Sequence, residues 1–132
     1  MAIDAGSQGS QNRRPMPTPE ELAQLQLDTF NAHDLEAFLP PFADDVEIVD
    51  LLDGTVTLRG IDAFRERYAA VFRDRPLVHA ELAGRMVLGR YVVDHERLTD
   101  GDEHPPEEAL AIYEIDGDRI TRMWFLVPGD RR

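Results

Sequence analysis

The chain has 132 residues, no cysteine and a formal net charge of −12, from 26 acidic and 14 basic residues. This length suits a single domain, and the absence of thiols excludes disulfides, thiolate metal sites and cysteine nucleophiles. The negative charge disfavours a nucleic-acid backbone and an anionic membrane surface as partners. No apolar run is long enough to span a bilayer, and residues 1–12 lack an apolar signal core, so the sequence favours a cytoplasmic protein.

Composition divides the chain into three segments: a flexible arm (residues 1–16), a single domain (residues 17–128) and a short tail (residues 129–132). The domain begins with a helix, because Thr18, Pro19 and Glu21 follow the pattern of an N-cap, a first-turn proline and a capping box. Asp34 caps a short second helix. Pro40 ends that helix, since a proline biases the residue before it away from helical geometry.

The remaining elements are predicted to be a β-hairpin, a helix and a meander of strands. Residues 46–52 are rich in β-branched side chains and predict a strand, which Asp53-Gly54 turns into a hairpin. Apolar residues at helical spacing predict a helix between Gly60 and Pro76. The later strands are predicted at residues 77–88, 90–98, 109–115 and 120–127.

The last predicted strand is apolar on both faces. Trp124 and Leu126 point one way, whereas Met123 and Phe125 point the other. A strand with two apolar faces must be covered on both, and the helices can cover only one. The other face therefore predicts a homodimer packed sheet to sheet. The predicted contact consists of Leu110, Ile112, Trp124 and Leu126.

Several segments of the chain follow a known pattern: residues 30–36, 42–50, 59–64, 113–117 and 120–124. In these residues the chain resembles the nuclear transport factor 2-like superfamily, in its SnoaL-like and ketosteroid-isomerase-like branch. The resemblance covers about residues 20–127. It implies an α+β fold in which a curled, mixed sheet wraps around N-terminal helices as a cone, a cystatin-like α+β roll. It also implies a small-molecule pocket and frequent homodimers.

Asp50 is the first candidate for chemistry. The resemblance implies a general base at the end of the first strand, and Asp50 has a similar position. Val46 and Ile48 share its strand face, so the carboxylate would meet an apolar wall, gain a raised pKa and accept a proton from carbon. The alternative is that Asp50 caps the following turn or pairs with an arginine. The other two isomerase positions fall near Gln26 and Ala111, which supply neither a phenol nor an acid, so ketosteroid isomerisation itself is not expected.

His95 is the second candidate. Tyr91, Val93, His95 and Arg97 share one face of a predicted strand, and the resemblance implies that this face lines the cone. Asp50 and His95 would then form a carboxylate–imidazole pair suited to dehydration, cyclisation or proton shuttling. The alternative is a histidine satisfied within the sheet by a tyrosine or a carbonyl group.

Two functions fit the sequence. The first is a cofactor-independent acid–base enzyme of the isomerase, cyclase or dehydratase class, acting on a small apolar cyclic or polyketide-like molecule. The second is a non-catalytic ligand-binding or dimerisation module. No metal site is expected, because strand alternation directs His95 away from Asp94 and Glu96. The predicted pocket lining consists of Gln26, Phe30, Tyr91, Val93, Tyr113, Met123 and Phe125.

Overall fold

The computed structural model describes residues 15–101 and 104–128, so the predicted tail and most of the predicted arm lie outside the described residues. The elements in chain order are α1 (Pro19–Asn31), α2 (Leu35–Phe38), β1 (Phe42–Asp50), β2 (Val56–Arg59), α3 (Ile61–Asp74), β3 (Val78–Leu88), β4 (Tyr91–Asp100), β5 (Glu107–Asp116) and β6 (Arg119–Leu126). The α+β fold class is confirmed. No helix within the described ranges is long and apolar enough to cross a membrane.

The first helix starts as its sequence predicts. The Thr18 hydroxyl accepts a hydrogen bond from the Glu21 amide at 3.1 Å, and the Glu21 carboxylate accepts one from the Thr18 amide at 2.8 Å. The capping box therefore satisfies two backbone donors that the first turn leaves without helical partners. The Asp34 carboxylate accepts from the Ala37 amide at 3.2 Å and begins α2 in a similar way.

The six strands form one mixed sheet in the order β2-β1-β6-β5-β4-β3. Only the β1–β6 pair is parallel, and every other neighbouring pair is antiparallel. β1 begins at Phe42, earlier than the predicted residue 46, because Phe42 already pairs with Ile120 of β6. The register then shifts before Glu47, where regular pairing resumes.

A cluster of aromatic rings fills the space between the helices and β1. Phe38 and Phe64 are fully buried and stack nearly parallel, with ring centroids 5.8 Å apart. Phe42 lies 4.4 Å from Phe64, and Tyr68 lies 4.7 Å from the same ring. Burying each ring stabilises the fold by about 2 kcal/mol. The cluster thereby holds α3 against β1 and fixes the position of Tyr68.

Two residues at the end of α1 attach to the edge strand β3. The Asn31 side-chain amide donates to the Ala80 carbonyl at 2.9 Å and accepts from the Ala80 amide at 2.8 Å. His33 bonds the Val78 carbonyl through Nε2 at 2.7 Å, and its ring stacks on Phe72. We call Asn31 and His33 the edge clamp. The clamp satisfies backbone groups on a strand edge that would otherwise be open to pairing with another chain.

Candidate functional site

An inner cavity of about 400 Å³ lies between α1, α3 and one face of the sheet. Its apolar walls include Leu27, Phe30, Val71, Val78, Met123 and Phe125. Its polar lining includes Gln26, Tyr68, Glu96 and Tyr113. An apolar chamber of this size with a few convergent polar groups is typical of a small-molecule site.

A chain of hydrogen bonds runs along the buried side of this cavity. The Gln26 side-chain amide donates to the Tyr113 hydroxyl at 2.9 Å, and that hydroxyl donates to the Glu96 carboxylate at 3.4 Å. Tyr113 is 1 % exposed and Glu96 is 6 % exposed. The bonds fix the orientation of the carboxylate, as catalytic or ligand-binding groups require.

Glu96 has a strongly perturbed acidity. Burial raises the pKa of its carboxyl from the ordinary value of 4.5 to about 7, and the negative charge of Asp94 adds to the rise. The hydrogen bond from Tyr113 and the charge of Arg85 act in the opposite direction. A carboxyl group with a pKa near neutrality can both accept and return a proton at physiological pH.

The Asp94 carboxylate lies beside Glu96 on the same strand face and is held by an arginine. Arg85 binds it in a bidentate manner, with Nε 2.7 Å from Oδ1 and Nη2 3.0 Å from Oδ2. Asp94 is 0 % exposed, so the paired guanidinium compensates its buried charge. Arg85 also donates to the side-chain amide oxygen (Oε1) of Gln24 at 2.9 Å, which ties β3 to α1.

Tyr68 contributes a second phenol to the cavity from α3. Burial raises the pKa of its hydroxyl above the ordinary value of 10.0. Unlike the Tyr113 hydroxyl, it makes no hydrogen bond to any residue in the ranges 15–101 and 104–128. Buried hydroxyl groups usually have a partner, so this one is available to a ligand.

The prediction that His95, Tyr91 and Val93 line the cone is wrong. β4 turns Val92, Asp94 and Glu96 inward, opposite Tyr113, Ala111 and Ala109 of β5. His95 therefore lies on the outer face of the sheet, where it is exposed and bonds the Glu108 carboxylate. Tyr91 and Val93 share that outer face, and the Tyr91 hydroxyl donates to Glu114. By contrast, Gln26, Phe30, Tyr113, Met123 and Phe125 all lie on the inner cavity.

The predicted pair of Asp50 and His95 is also wrong. Asp50 aligns with Phe125 on the inner face of the sheet, whereas His95 aligns with Leu110 on the outer face. The Asp50 Oδ1 atom accepts from the amides of Leu52 at 2.8 Å and Asp53 at 3.3 Å, so it caps the turn after β1. Asp50 lines a neighbouring groove that shares Arg67, Phe125 and Val127 with the inner cavity.

Sequence reasoning missed Glu96 because both faces of β4 carry a mixture of apolar and charged residues. One signal was available in the hairpin before it. A tight turn at Gly89-Arg90 places Arg85 opposite Asp94, and such a cross-strand ion pair favours burial of that face.

The predicted dimer residues Leu110, Ile112, Trp124 and Leu126 lie half-buried on the outer face. Within the described residues, no group of three or more His, Asp and Glu side chains could hold a metal ion.

Comparison with solved structures supports the same architecture. An uncharacterised cystatin-fold protein from Novosphingobium aromaticivorans is 28% identical, with a TM-score of 0.75, and the match covers 83% of this chain and 98% of that one. A protein from Kribbella flavida, provisionally named a ketosteroid isomerase, is 18% identical, with a TM-score of 0.71 and coverage of 86% and 80%. A protein from Sinorhizobium meliloti, provisionally named a polyketide cyclase, is 19% identical, with a TM-score of 0.68 and coverage of 80% and 93%.

The sequence itself carries the assignment to a family. No curated protein matches the chain. The model of the SnoaL-like domain, however, matches residues 23–123, which include most of α1, the aromatic cluster, Glu96 and Tyr113. The chain therefore belongs to the SnoaL-like domain family, within the nuclear transport factor 2-like superfamily.

Proposed function

We propose that this protein is a cofactor-independent acid–base enzyme of the isomerase, cyclase or dehydratase class. Its substrate is a small, mostly apolar cyclic or polyketide-like molecule that enters the inner cavity. The single observation that carries the proposal is the Glu96 carboxyl, which is buried against apolar walls with a pKa of about 7. Solved neighbours provisionally named a ketosteroid isomerase and a polyketide cyclase add support at the level of reaction class.

In the proposed mechanism Glu96 moves the proton. The ionised carboxylate takes a proton from a carbon next to a substrate carbonyl group, and the electron pair of that C–H bond passes to the carbonyl oxygen. The Tyr68 hydroxyl donates a hydrogen bond to the resulting enolate oxygen. Glu96 then returns the proton to the same or another carbon of the substrate. A hydrogen-bond donor aimed at developing charge contributes about 3 kcal/mol to such a step.

The test follows proton exchange at carbon, because it does not require the natural substrate. 2-Tetralone, an apolar cyclic ketone, is incubated with the protein in D₂O, and loss of its α-proton signals is followed by ¹H NMR. We expect the protein-dependent rate to rise with pH through about 7, as the Glu96 carboxyl ionises. Glu96→Gln should lower this rate at least ~100-fold, because it removes the proton acceptor.

Asp50→Asn is the matched control, because Asp50 lies outside the inner cavity and caps a turn. That variant should retain the rate of the unmodified protein within about threefold. Equal losses in the two variants would contradict the role of Glu96. If the unmodified protein gives no exchange above the buffer rate, a non-catalytic ligand-binding module explains the structure better than an enzyme does. Native mass spectrometry of the purified protein should then show a retained small molecule.

We also propose that the protein is a homodimer packed through the outer face of the sheet. Trp124 and Leu126 are half-buried on that face, while Met123 and Phe125 on the opposite face line the inner cavity. Burial of apolar area is the main driving force for such association. A second copy of the chain supplies a surface of matching size and chemistry.

A further inference from the structure

The solvent-facing end of the inner cavity carries an arginine on α3. Arg67 is exposed, and it lines both the inner cavity and the neighbouring groove that contains Asp50. The lining of the cavity also includes the exposed Glu107 and the half-buried Arg75. A ligand that fills the cavity therefore passes within reach of a guanidinium group.

Arg67 differs from the other arginines near it, because it has no carboxylate partner among residues 15–101 and 104–128. Those arginines each pair with a carboxylate: Arg65 with Glu36 at 2.7 Å, Arg73 with Asp74 at 3.0 Å, and Arg75 with Asp100 at 2.9 Å. Arg67 makes no hydrogen bond or ion pair with any residue that the structure describes. In a chain with a net charge of −12, an arginine that pairs with no described carboxylate is available to bind an anionic ligand at the cavity mouth.

The charge of Arg67 acts on the Tyr68 hydroxyl, which lines the cavity. It opposes the rise that burial produces in the pKa of the Tyr68 hydroxyl, whereas the Glu96 carboxylate reinforces that rise. Arg67, Tyr68 and Glu96 therefore line one cavity, and Arg67 and Glu96 lie within electrostatic range of the Tyr68 hydroxyl. A molecule that fills the cavity would lie beside all three groups.

We propose that the ligand of the inner cavity bears a carboxylate or another acidic oxygen group, and that Arg67 binds this anion at the mouth. The apolar body of the ligand fills the cavity and brings its reactive carbon towards Glu96. A guanidinium presents paired N–H donors that match the two oxygens of a carboxylate. The inference rests on the proposed function only in placing a small molecule in the inner cavity.

The test compares two probes of the same shape, 2-naphthoate and its neutral amide, 2-naphthamide. The protein is labelled with ¹³C at its methionine methyl groups and titrated at pH 6.5. Met123 lines the cavity, whereas Met16 and Met86 are 64% and 60% exposed and report binding elsewhere. We expect both probes to shift the Met123 signal, and naphthoate to bind about tenfold more tightly, which corresponds to about 1.4 kcal/mol.

Arg67→Gln should abolish the preference for naphthoate without weakening naphthamide. The matched control is Arg73→Gln, which removes an arginine from the same helix at a position that does not line the cavity. It should leave the preference intact. Equal affinities in the unmodified protein, a preference that survives Arg67→Gln, or no shift of Met123 with either probe would overturn the proposal.

The outcome is separable from that of the exchange assay. Equal probe affinities in a protein that still exchanges tetralone protons would remove the anion site and leave the role of Glu96 standing. A clear preference for naphthoate in a protein without exchange would support the anion site and contradict the role of Glu96, because the anion site does not depend on proton transfer at Glu96.

Discussion

The Glu96 carboxyl is buried among apolar walls and accepts a hydrogen bond from Tyr113, yet it pairs with none of the arginines that the structure describes. The adjacent Asp94 takes the bidentate guanidinium of Arg85 instead. Two carboxyl groups on one strand face are thereby given different environments. Burial, together with the nearby charge of Asp94, raises the pKa of the Glu96 carboxyl.

The raised pKa of Glu96 makes stability depend on pH. A folded-state pKa of about 7 against an ordinary 4.5 means that the folded chain binds the proton more tightly than the unfolded chain. The resulting stability is fully present below about pH 4.5 and is lost as pH rises through about 7. The loss is about 3 kcal/mol.

Glu96→Gln should remove this dependence, because the amide does not ionise. We expect the variant to gain about 3 kcal/mol relative to the unmodified protein between pH 5 and pH 8. Urea unfolding at the two pH values measures the difference. Glu66→Gln, on the exposed side of α3, should show no such gain, and a gain of the same size there would contradict the assignment.

At the scale of elements, the edge clamp joins the end of α1 to β3. Asn31 presents one donor and one acceptor to Ala80, which is the pattern that another strand would offer. Ala80 also lines the inner cavity. The clamp therefore stabilises an edge of the sheet and a wall of the candidate site together.

Asn31→Ala should destabilise the fold by about 2 kcal/mol, since it removes two hydrogen bonds of about 1 kcal/mol each. The Ala80 amide should also exchange with solvent faster than in the unmodified protein, because it loses its acceptor. Hydrogen exchange followed by NMR measures this directly. Glu20→Ala, an exposed substitution on the same helix, serves as the control, and faster Ala80 exchange in both variants would refute a specific role of the clamp.

Helix starts could be predicted from the sequence, whereas the face of a strand could not. Thr18, Pro19 and Glu21 act on one another within a single turn, so a local pattern was enough to locate the start of α1. The inward face of β4 depends on partners in β3, β5 and α1, which are distant in sequence. Strand alternation gives two faces but not which of them is buried. Because of that ambiguity, His95 was predicted to line the site in place of Glu96.

At the scale of the whole molecule, we predict that the outer face of the sheet forms the contact between two copies of the chain. We expect a dimer of twice the chain mass of 15.0 kDa. Ile112→Glu should give a monomer, because a charge in the centre of an apolar interface is left without a partner. Size-exclusion chromatography with light scattering measures the mass.

Val87→Glu is the control for this experiment, because Val87 is already exposed near the far end of the β3–β4 hairpin. It should remain dimeric. If the unmodified protein is monomeric at high micromolar concentration, the predicted homodimer is wrong.

The position of Glu96 would also couple binding of the proposed acidic ligand to the acidity of the solution. Its carboxyl changes from neutral to negative near pH 7, so a ligand that carries its own negative charge meets less repulsion when the group is protonated. By thermodynamic reciprocity, the bound anion must in turn strengthen the hold of the protein on that proton. An acidic ligand would therefore enter together with a hydrogen ion, and it would be released as the medium becomes more alkaline.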